Sequence, residues 1–233
     1  MSDRHCKRGE QVERPQATVP PSEDWLGRWR EGRTGWHEPR GNAALRRHWP
    51  ALAAGSRVLV PLCGKAVDLL WLAGRGLDVT GVELSQMAVE AFFAENGLTA
   101  VRVPGDELPA WRARDAAITL YCGDYFDFDA PPFDALYDRG ALVALPPAER
   151  PRYAAHTARL LQPRAFRLVV TLEYDQRRAA GPPFAVAGSE LETYWPDLER
   201  VESRDDLANA PPKFRDAGLE RFDEVVWRSP RSA

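Results

Sequence analysis

The chain has 233 residues, 44% hydrophobic and 28% charged, with a formal net charge of −3 and a pI near 5.9. This length suits one domain with a sizeable buried core and an N-terminal extension. The mildly acidic, interspersed charge gives no electrostatic footprint for nucleic acid or an anionic membrane, and no apolar run reaches the ~18 residues of a membrane span.

The three cysteines are Cys6, Cys63 and Cys122, and they form neither a CxxC pair nor a zinc-ligand spacing. We interpret Cys63 and Cys122 as reduced, partly buried thiols, with a catalytic cysteine as the less favoured alternative. The first residues lack the apolar centre of a signal peptide. We therefore expect a cytoplasmic protein without a metal site, and a monomer, because no feature demands a dimer.

Residues 1–21 are polar and without period, which predicts a flexible tail before a single domain at 22–233. Ser22 is placed to cap a helix with an acidic first turn. Trp25 and Trp29 are four residues apart and therefore share one face of this helix. The two indoles either fasten the helix to the core or close over a ligand.

Short apolar segments alternate with helical patterns along the rest of the chain, which predicts a parallel, doubly wound sheet with helices on both faces. The predicted strands cover residues 57–61, 78–82, 117–121, 133–137, 166–173 and 221–227. The predicted helices cover residues 42–52, 65–75, 85–96, 147–161 and 189–194. Residues 99–115 break the alternation and are expected to form an insertion or a small hairpin.

The first predicted strand ends in a Pro-Leu-Cys-Gly-Lys turn at residues 61–65. Gly64 allows close approach of a ligand to the backbone, and the following helix directs free N–H groups toward it. A dinucleotide site requires G-x-G-x-x-G here, and a P-loop requires a second, upstream glycine; both patterns are missing. The turn therefore disfavours an NAD-dependent oxidoreductase and indicates an adenosyl cofactor without a pyrophosphate.

Acidic residues follow the next strands, at the sheet edge where ligands of open α/β folds bind. Glu83 lies about 20 residues past the turn glycine and suits the ribose hydroxyls, or it is a loop acid or helix cap. Asp124 and Tyr125 suit an adenine edge and face, or they form a turn. Asp138 and Arg139 follow the fourth strand, where the reacting end of a ligand would lie, or they form a local ion pair.

This order of features resembles the S-adenosylmethionine-dependent methyltransferases of the Rossmann-like class. Longer motifs, over roughly residues 22–228, resemble the thiopurine S-methyltransferase family. The motifs are W-x-x-x-W from residue 25, G-W-H at 35–37, V-P-L-C-G-K-x-x-D at 60–68, G-V-E-L-S at 81–85, F-D-x-x-Y-D-R-G-A-L-V-A-L-P-P at 133–147, L-E-Y-D at 172–175 and G-P-P-F at 181–184.

The resemblance implies S-adenosyl-L-methionine as cofactor and a seven-stranded mixed sheet with an antiparallel edge hairpin. Together with the turn glycine, it predicts cofactor contacts at Trp25, Trp29, Leu62, Gly64, Glu83, Asp124, Tyr125 and Arg139. It predicts acceptor contacts at Trp36, Arg139, Pro183, Phe184 and, by a loose alignment, Lys213. Trp36 stands where members of the family often have phenylalanine, which leaves the identity of the acceptor open.

Methyl transfer from a sulfonium is an in-line displacement, which needs a placed nucleophile and exclusion of water more than a strong base. Arg139 is predicted to favour an anionic acceptor, and His37 is either a proton acceptor or a structural histidine. We therefore predict methyl transfer to the sulfur of a small aromatic or heterocyclic thiol. The alternatives are a halide or a selenium or tellurium oxyanion as acceptor, and a non-catalytic adenosyl-ligand binder; a nucleic-acid methyltransferase is less supported.

Overall fold

The computed structural model describes residues 21–104 and 107–230. The predicted tail at 1–21 lies almost wholly outside these residues. The helices are α1 Pro21–Arg30, α2 Ala43–His48, α3 Asp68–Ala73, α4 Gln86–Glu95, α5 Arg150–Arg159, α6 Gly188–Tyr194 and α7 Pro212–Arg215. The strands are β1 Arg57–Pro61, β2 Asp78–Glu83, β3 Ala100–Val103, β4 Ala110–Ala113, β5 Ile118–Cys122, β6 Phe133–Arg139, β7 Leu161–Glu173, β8 Glu199–Asp205 and β9 Asp223–Arg228.

All strands in the described ranges belong to one sheet, in the order β3-β4-β5-β2-β1-β6-β7-β9-β8. The five central strands, β5 to β7 in that order, run parallel, as the alternation of strands and helices predicted. β9 and β8 form the antiparallel edge hairpin that the resemblance implied. The doubly wound α/β fold class is therefore confirmed.

The strand number differs from the prediction, because the sheet has nine strands rather than seven. The two additional strands are β3 and β4, an antiparallel hairpin that extends the sheet beyond β5. They come from the segment at 99–115, where the broken alternation predicted an insertion or hairpin. Strand β8 was missed, because it is an edge strand with the sequence ERVESRD and no buried residue, so no apolar pattern marks it.

The helix boundaries also shift by a few residues. α1 begins at Pro21, which places Ser22 inside the helix instead of before it. α3 covers only the middle of the predicted helix at 65–75. The predicted cap of α4 is confirmed, because the side chain of Ser85 accepts a hydrogen bond from the backbone N–H of Ala88. No helix in the described ranges is long and apolar enough to cross a membrane.

Two hydrophobic layers cover the faces of the sheet. Val58 and Val60 of β1 pack into one layer with α3 and α4, and the intervening Leu59 packs into the other layer with α5. Each such side chain is buried, which stabilises the fold by roughly 1.5–3 kcal/mol per residue. The parallel strands are thus held rigidly, and their carboxyl ends present one edge on which a site is built.

Candidate active site

The turn after β1 has a backbone shape that is rare for ordinary residues. Leu62 has a φ of 46° and Gly64 a φ of 55°, so both lie in the left-handed region. A non-glycine residue in this region costs free energy and is found most often at functional sites. The turn therefore bends the chain sharply where β1 ends.

Glu83, the last residue of β2, fastens this turn. Its Oε2 accepts a 2.8 Å hydrogen bond from the N–H of Gly64, and its Oε1 accepts one of 2.8 Å from the N–H of Ser85. Burial raises the pKa of the carboxyl group, although three backbone hydrogen bonds oppose that shift. A carboxylate has about four lone-pair sites, so these three backbone donors leave one for a ligand.

The residues after β5 divide between the sheet edge and the interior. Asp124 is exposed, and its Oδ1 accepts a 2.9 Å hydrogen bond from the N–H of Phe126 at the start of a 3-10 turn. Tyr125 is buried, and its hydroxyl lies 2.9 Å from Oγ1 of Thr157. The structure therefore leaves Asp124 at the edge but does not bring the Tyr125 ring to it.

Asp138 and Arg139 at the end of β6 have different surroundings. Asp138 is fully buried, accepts hydrogen bonds from the N–H groups of Ala141 and Leu142 at 3.2 Å, and accepts a third from the Tyr153 hydroxyl at 2.7 Å. Burial is the main reason that its pKa rises to about 6. Asp138 therefore shapes the turn after β6, and Arg139 is the residue directed to the site.

Arg139 connects β6 to the loop after α1. Its Nη1 donates a 2.8 Å hydrogen bond to the carbonyl oxygen of Trp36, and its Nη2 pairs with the carboxylate of Glu38. The Arg139 side chain keeps 24% of its surface exposed. The ion pair is therefore not with the neighbouring Asp138, and it joins residues that are 101 positions apart.

Three indoles form a cluster beside the β1 turn. Trp36 lies edge-on to Trp25 and Trp29, with ring centroids at 5.1 and 5.8 Å. A Cβ on Gly64 would lie 3.4 Å from Cζ2 of Trp29, so this ring already packs at contact distance above the turn. The cluster packs α1 against the turn and forms an aromatic wall beside it. This packing agrees with a fastening role for the tryptophan pair, and closure over a ligand stays a prediction.

His37 lies next to this wall. It is half-buried, and its backbone N–H donates to the carbonyl oxygen of Thr34 at 2.9 Å. Burial lowers the pKa of the imidazole, and the positive charge of Lys65 lowers it further. The ring is therefore neutral near pH 7 and has a nitrogen available to accept a proton.

The Gly-Pro-Pro-Phe loop at 181–184 is held from several sides. The N–H of Phe184 donates to the carbonyl oxygen of Val143 at 2.6 Å, and the Tyr174 hydroxyl donates to that of Pro183 at 2.7 Å. Lys213 donates to the carbonyl oxygens of Ala180 and Pro182, at 3.0 and 2.6 Å. The Lys213 ammonium thus supports the loop, where a direct contact with the acceptor was expected.

Sequence reasoning missed a buried polar cluster behind Arg139. The backbone N–H of Asn42 donates to Oδ1 of Asp68 at 2.8 Å, and the Tyr137 hydroxyl donates to Oδ2 at 3.1 Å. The side-chain amide of Asn42 lies 3.1 Å from Oε2 of Glu224 and 3.4 Å from Oε1 of Glu38. The available signal for this cluster was Asp68, an acidic residue at the start of a helix that ends the V-P-L-C-G-K-x-x-D motif.

The cysteine interpretation is confirmed for the two described thiols. Cys63 and Cys122 are free, and Cys63 is buried. Burial raises the pKa of both thiols, and the negative charge of Glu83 raises it further. A thiol with a raised pKa is a poor nucleophile at neutral pH. Cys6 lies outside the described residues.

Comparison with known proteins places the chain in a family. The family model described as Thiopurine S-methyltransferase matches residues 21–232. Proteins named thiopurine S-methyltransferase from Bordetella petrii and Pseudomonas fluorescens are 45% and 46% identical; the matches cover 90% and 88% of this chain and 98% and 97% of theirs.

Solved structures agree on the fold. One is a Burkholderia thailandensis 1,6-didemethyltoxoflavin-N1-methyltransferase with bound S-adenosylhomocysteine, which is 20% identical with a TM-score of 0.57 over 94% of both chains. Another is a TehB-like methyltransferase from Corynebacterium glutamicum, which is 18% identical with a TM-score of 0.51 over 90% of this chain and 98% of that one. The chain belongs to the thiopurine S-methyltransferase family, and it is an S-adenosylmethionine-dependent methyltransferase.

Proposed function

We propose that this enzyme transfers a methyl group to the sulfur of a small aromatic or heterocyclic thiol. The observation that carries the proposal is the hydrogen bond between Arg139 and the carbonyl oxygen of Trp36. It holds a guanidinium group beside a wall of three indoles at the carboxyl ends of the strands. A flat sulfur acceptor needs both groups, the rings for its faces and the positive charge for its thiolate.

The residues at the strand ends fit the cofactor of the family. When bound, S-adenosylmethionine supplies a methyl group that its positively charged sulfur makes electrophilic. Glu83 would hold the ribose with its remaining lone pair, and Leu62 and Gly64 would contact the cofactor from the turn. Trp25, Trp29 and Asp124 would border it, with Arg139 near its amino-acid end.

The protein's own residues then act on the acceptor. Arg139 stabilises the thiolate relative to the thiol, and His37, held neutral, accepts the proton or passes it to water. The Trp36 ring and Phe184 orient the acceptor and exclude water that would compete for the methyl group. Because these residues would present the acceptor as a thiolate in line with the cofactor, the displacement would require no further base.

We also propose that residues 22–233 act as one domain, in a cytoplasmic monomer that does not act on nucleic acid. The side chains assigned to the site lie at neighbouring strand ends of one continuous sheet, on α1 and on the loops beside them. Analytical ultracentrifugation would test the monomer directly, by measuring the mass of the protein in solution.

The test is a methyl-transfer screen with labelled S-adenosylmethionine across aromatic thiols, aliphatic thiols, halides, selenite and tellurite. We expect the highest kcat/KM with an aromatic or heterocyclic thiol, and a large loss of it in Glu83→Ala and Arg139→Ala. Arg112→Ala is the matched control, because Arg112 is exposed on β4 and its nearest carboxylate, on Asp78, is 3.8 Å away. Preferred turnover of a halide or oxyanion would overturn the proposal, as would wild-type rates in both site variants.

A further inference from the structure

The charge of Arg139 is surrounded by carboxylates. Glu38 pairs with the guanidinium, and Asp68 and Glu224 lie close behind it. Burial by itself lowers the pKa of Arg139, but these carboxylates and Tyr137 outweigh that effect and raise it. The positive charge that reaches a bound acceptor is therefore far smaller than that of an isolated arginine.

Glu38 is held in place more firmly than an ordinary surface acid. The Asn42 side chain donates to the same Oε1 atom that pairs with Arg139, and Asn42 itself is buried. Gly41, in the left-handed region with a φ of 69°, bends the backbone so that the N–H of Asn42 reaches Asp68. An exposed ion pair contributes little because it is mobile, but this carboxylate is preorganised by two donors and by its loop.

Several other basic side chains around the site already have partners or are neutral. Lys213 donates to the carbonyl oxygens of Ala180 and Pro182, and Arg28 pairs with Asp24 at 2.8 Å. Lys65 pairs with Glu95 at 2.6 Å, and His37 is held neutral. Glu38 is thus the carboxylate placed directly on the guanidinium that faces the acceptor.

We propose that Glu38 determines the charge selectivity for the methyl acceptor, by neutralising Arg139 so that thiols without a second anionic group are preferred. This inference rests on the proposed function, because it names the class of thiol that the site takes. Loss of the Glu38 charge would expose the Arg139 charge to the acceptor. Every acceptor would gain from the exposed charge through its thiolate, and an acceptor that also carries a carboxylate would gain further.

The test uses two aromatic thiols of equal size, 4-mercaptobenzoate and 4-mercaptobenzamide. In Glu38→Gln the amide still accepts a hydrogen bond from Arg139, so the loop keeps its anchor while the charge is lost. We expect the ratio of kcat/KM for the benzoate to that for the benzamide to rise roughly fivefold to tenfold over wild type, mainly through KM. Glu38→Ala should shift the ratio in the same direction, and Glu38→Asp, which keeps the charge, should leave it near wild type.

Glu199→Gln is the matched control, because it removes the same charge from an exposed position at the start of β8. This position lies at the end of the sheet opposite the carboxyl ends of the parallel strands. Its ratio should equal that of wild type. An unchanged ratio of the two kcat/KM values in both charge-removing variants would overturn the assignment of Glu38, even if both kcat/KM values fell equally. The proposed function would remain intact. Absence of wild-type turnover with both thiols would instead overturn the proposed function, and this inference with it.

Discussion

The backbone N–H of Gly64 donates a 2.8 Å hydrogen bond to Oε2 of Glu83. This contact joins the turn after β1 to the end of β2, 19 positions along the chain. The other oxygen of the same carboxylate binds the start of α4 through Ser85. One buried acid therefore sets the shape of the sheet edge at which we propose that the cofactor binds.

We expect Glu83→Gln to weaken cofactor binding and to destabilise the fold. The amide keeps the volume of the acid, but its NH₂ group must face one of two backbone N–H donors. A buried donor without an acceptor costs about 1–3 kcal/mol. Calorimetric titration should show S-adenosylmethionine affinity reduced roughly tenfold or more, because a hydrogen bond from the ribose to a charged carboxylate contributes about 1.5–3 kcal/mol. An unchanged Kd would contradict the role of Glu83, and Glu199→Gln again provides the control.

Asp138 gives the stability of the protein a specific pH dependence. Its pKa is about 6 in the folded state against an ordinary 3.8, mainly because of burial. The folded state therefore binds this proton more tightly than the unfolded chain, so the contribution to stability rises as the pH falls through 6 and levels off below about 4. The gain between pH 7 and pH 4.5 should be about 2 kcal/mol.

Asp138→Asn removes this titration while its amide still satisfies the Tyr153 hydroxyl and the turn. Urea unfolding of both proteins at pH 7 and pH 4.5 measures the effect. The variant should lose stability relative to wild type at pH 4.5 by about 2 kcal/mol more than at pH 7. Equal responses of the two proteins to pH would show that Asp138 is not the titrating group.

Arg150 should control the acceptor loop from within the core. Its side chain is 1% exposed, and it donates to the carbonyl oxygens of Leu145 at 3.0 Å and Ala185 at 3.1 Å and pairs with Glu190 at 2.8 Å. Ala185 directly follows the loop at 181–184. Arg150→Met leaves these partners unpaired and should lower the free energy of unfolding by roughly 3–5 kcal/mol.

The same change should raise KM for the thiol more than it affects cofactor affinity. Arg150→Lys should be milder, because it keeps the charge but has fewer fixed donors. The matched control is Arg152→Met, on the same helix but exposed. Equal effects of the two methionine variants on unfolding and on KM would refute the role of Arg150.

Cys63 should be unreactive despite its place in the cofactor turn. It is 7% exposed, its Sγ lies 3.7 Å from the carbonyl oxygen of Gly64, and burial raises its pKa well above the usual range. Iodoacetamide at pH 8 should leave it unmodified in the folded protein and alkylate it in urea, as mass spectrometry would show. Cys63→Ala should retain most methyl transfer. Rapid alkylation of the folded protein, or loss of turnover in the variant, would restore the catalytic alternative.

The sequence by itself determined the central strands and the order of the strand ends. β1 was predicted with its observed bounds, and Ser85 was predicted as the cap of α4, because apolar runs and caps depend on residues close together in the chain. The long motifs indicated the family, and the resemblance to that family implied the cofactor. The hairpin at β3 and β4 followed from the broken alternation.

Only the tertiary structure decided which groups meet at the site. Arg139 pairs with Glu38, 101 residues away, instead of its neighbour Asp138, because Asp138 is turned into the core by Tyr153. The Tyr125 ring turns inward toward Thr157, since that interior position buries the ring and satisfies its hydroxyl. Such contacts depend on how the elements pack, and no local pattern along the chain encodes them.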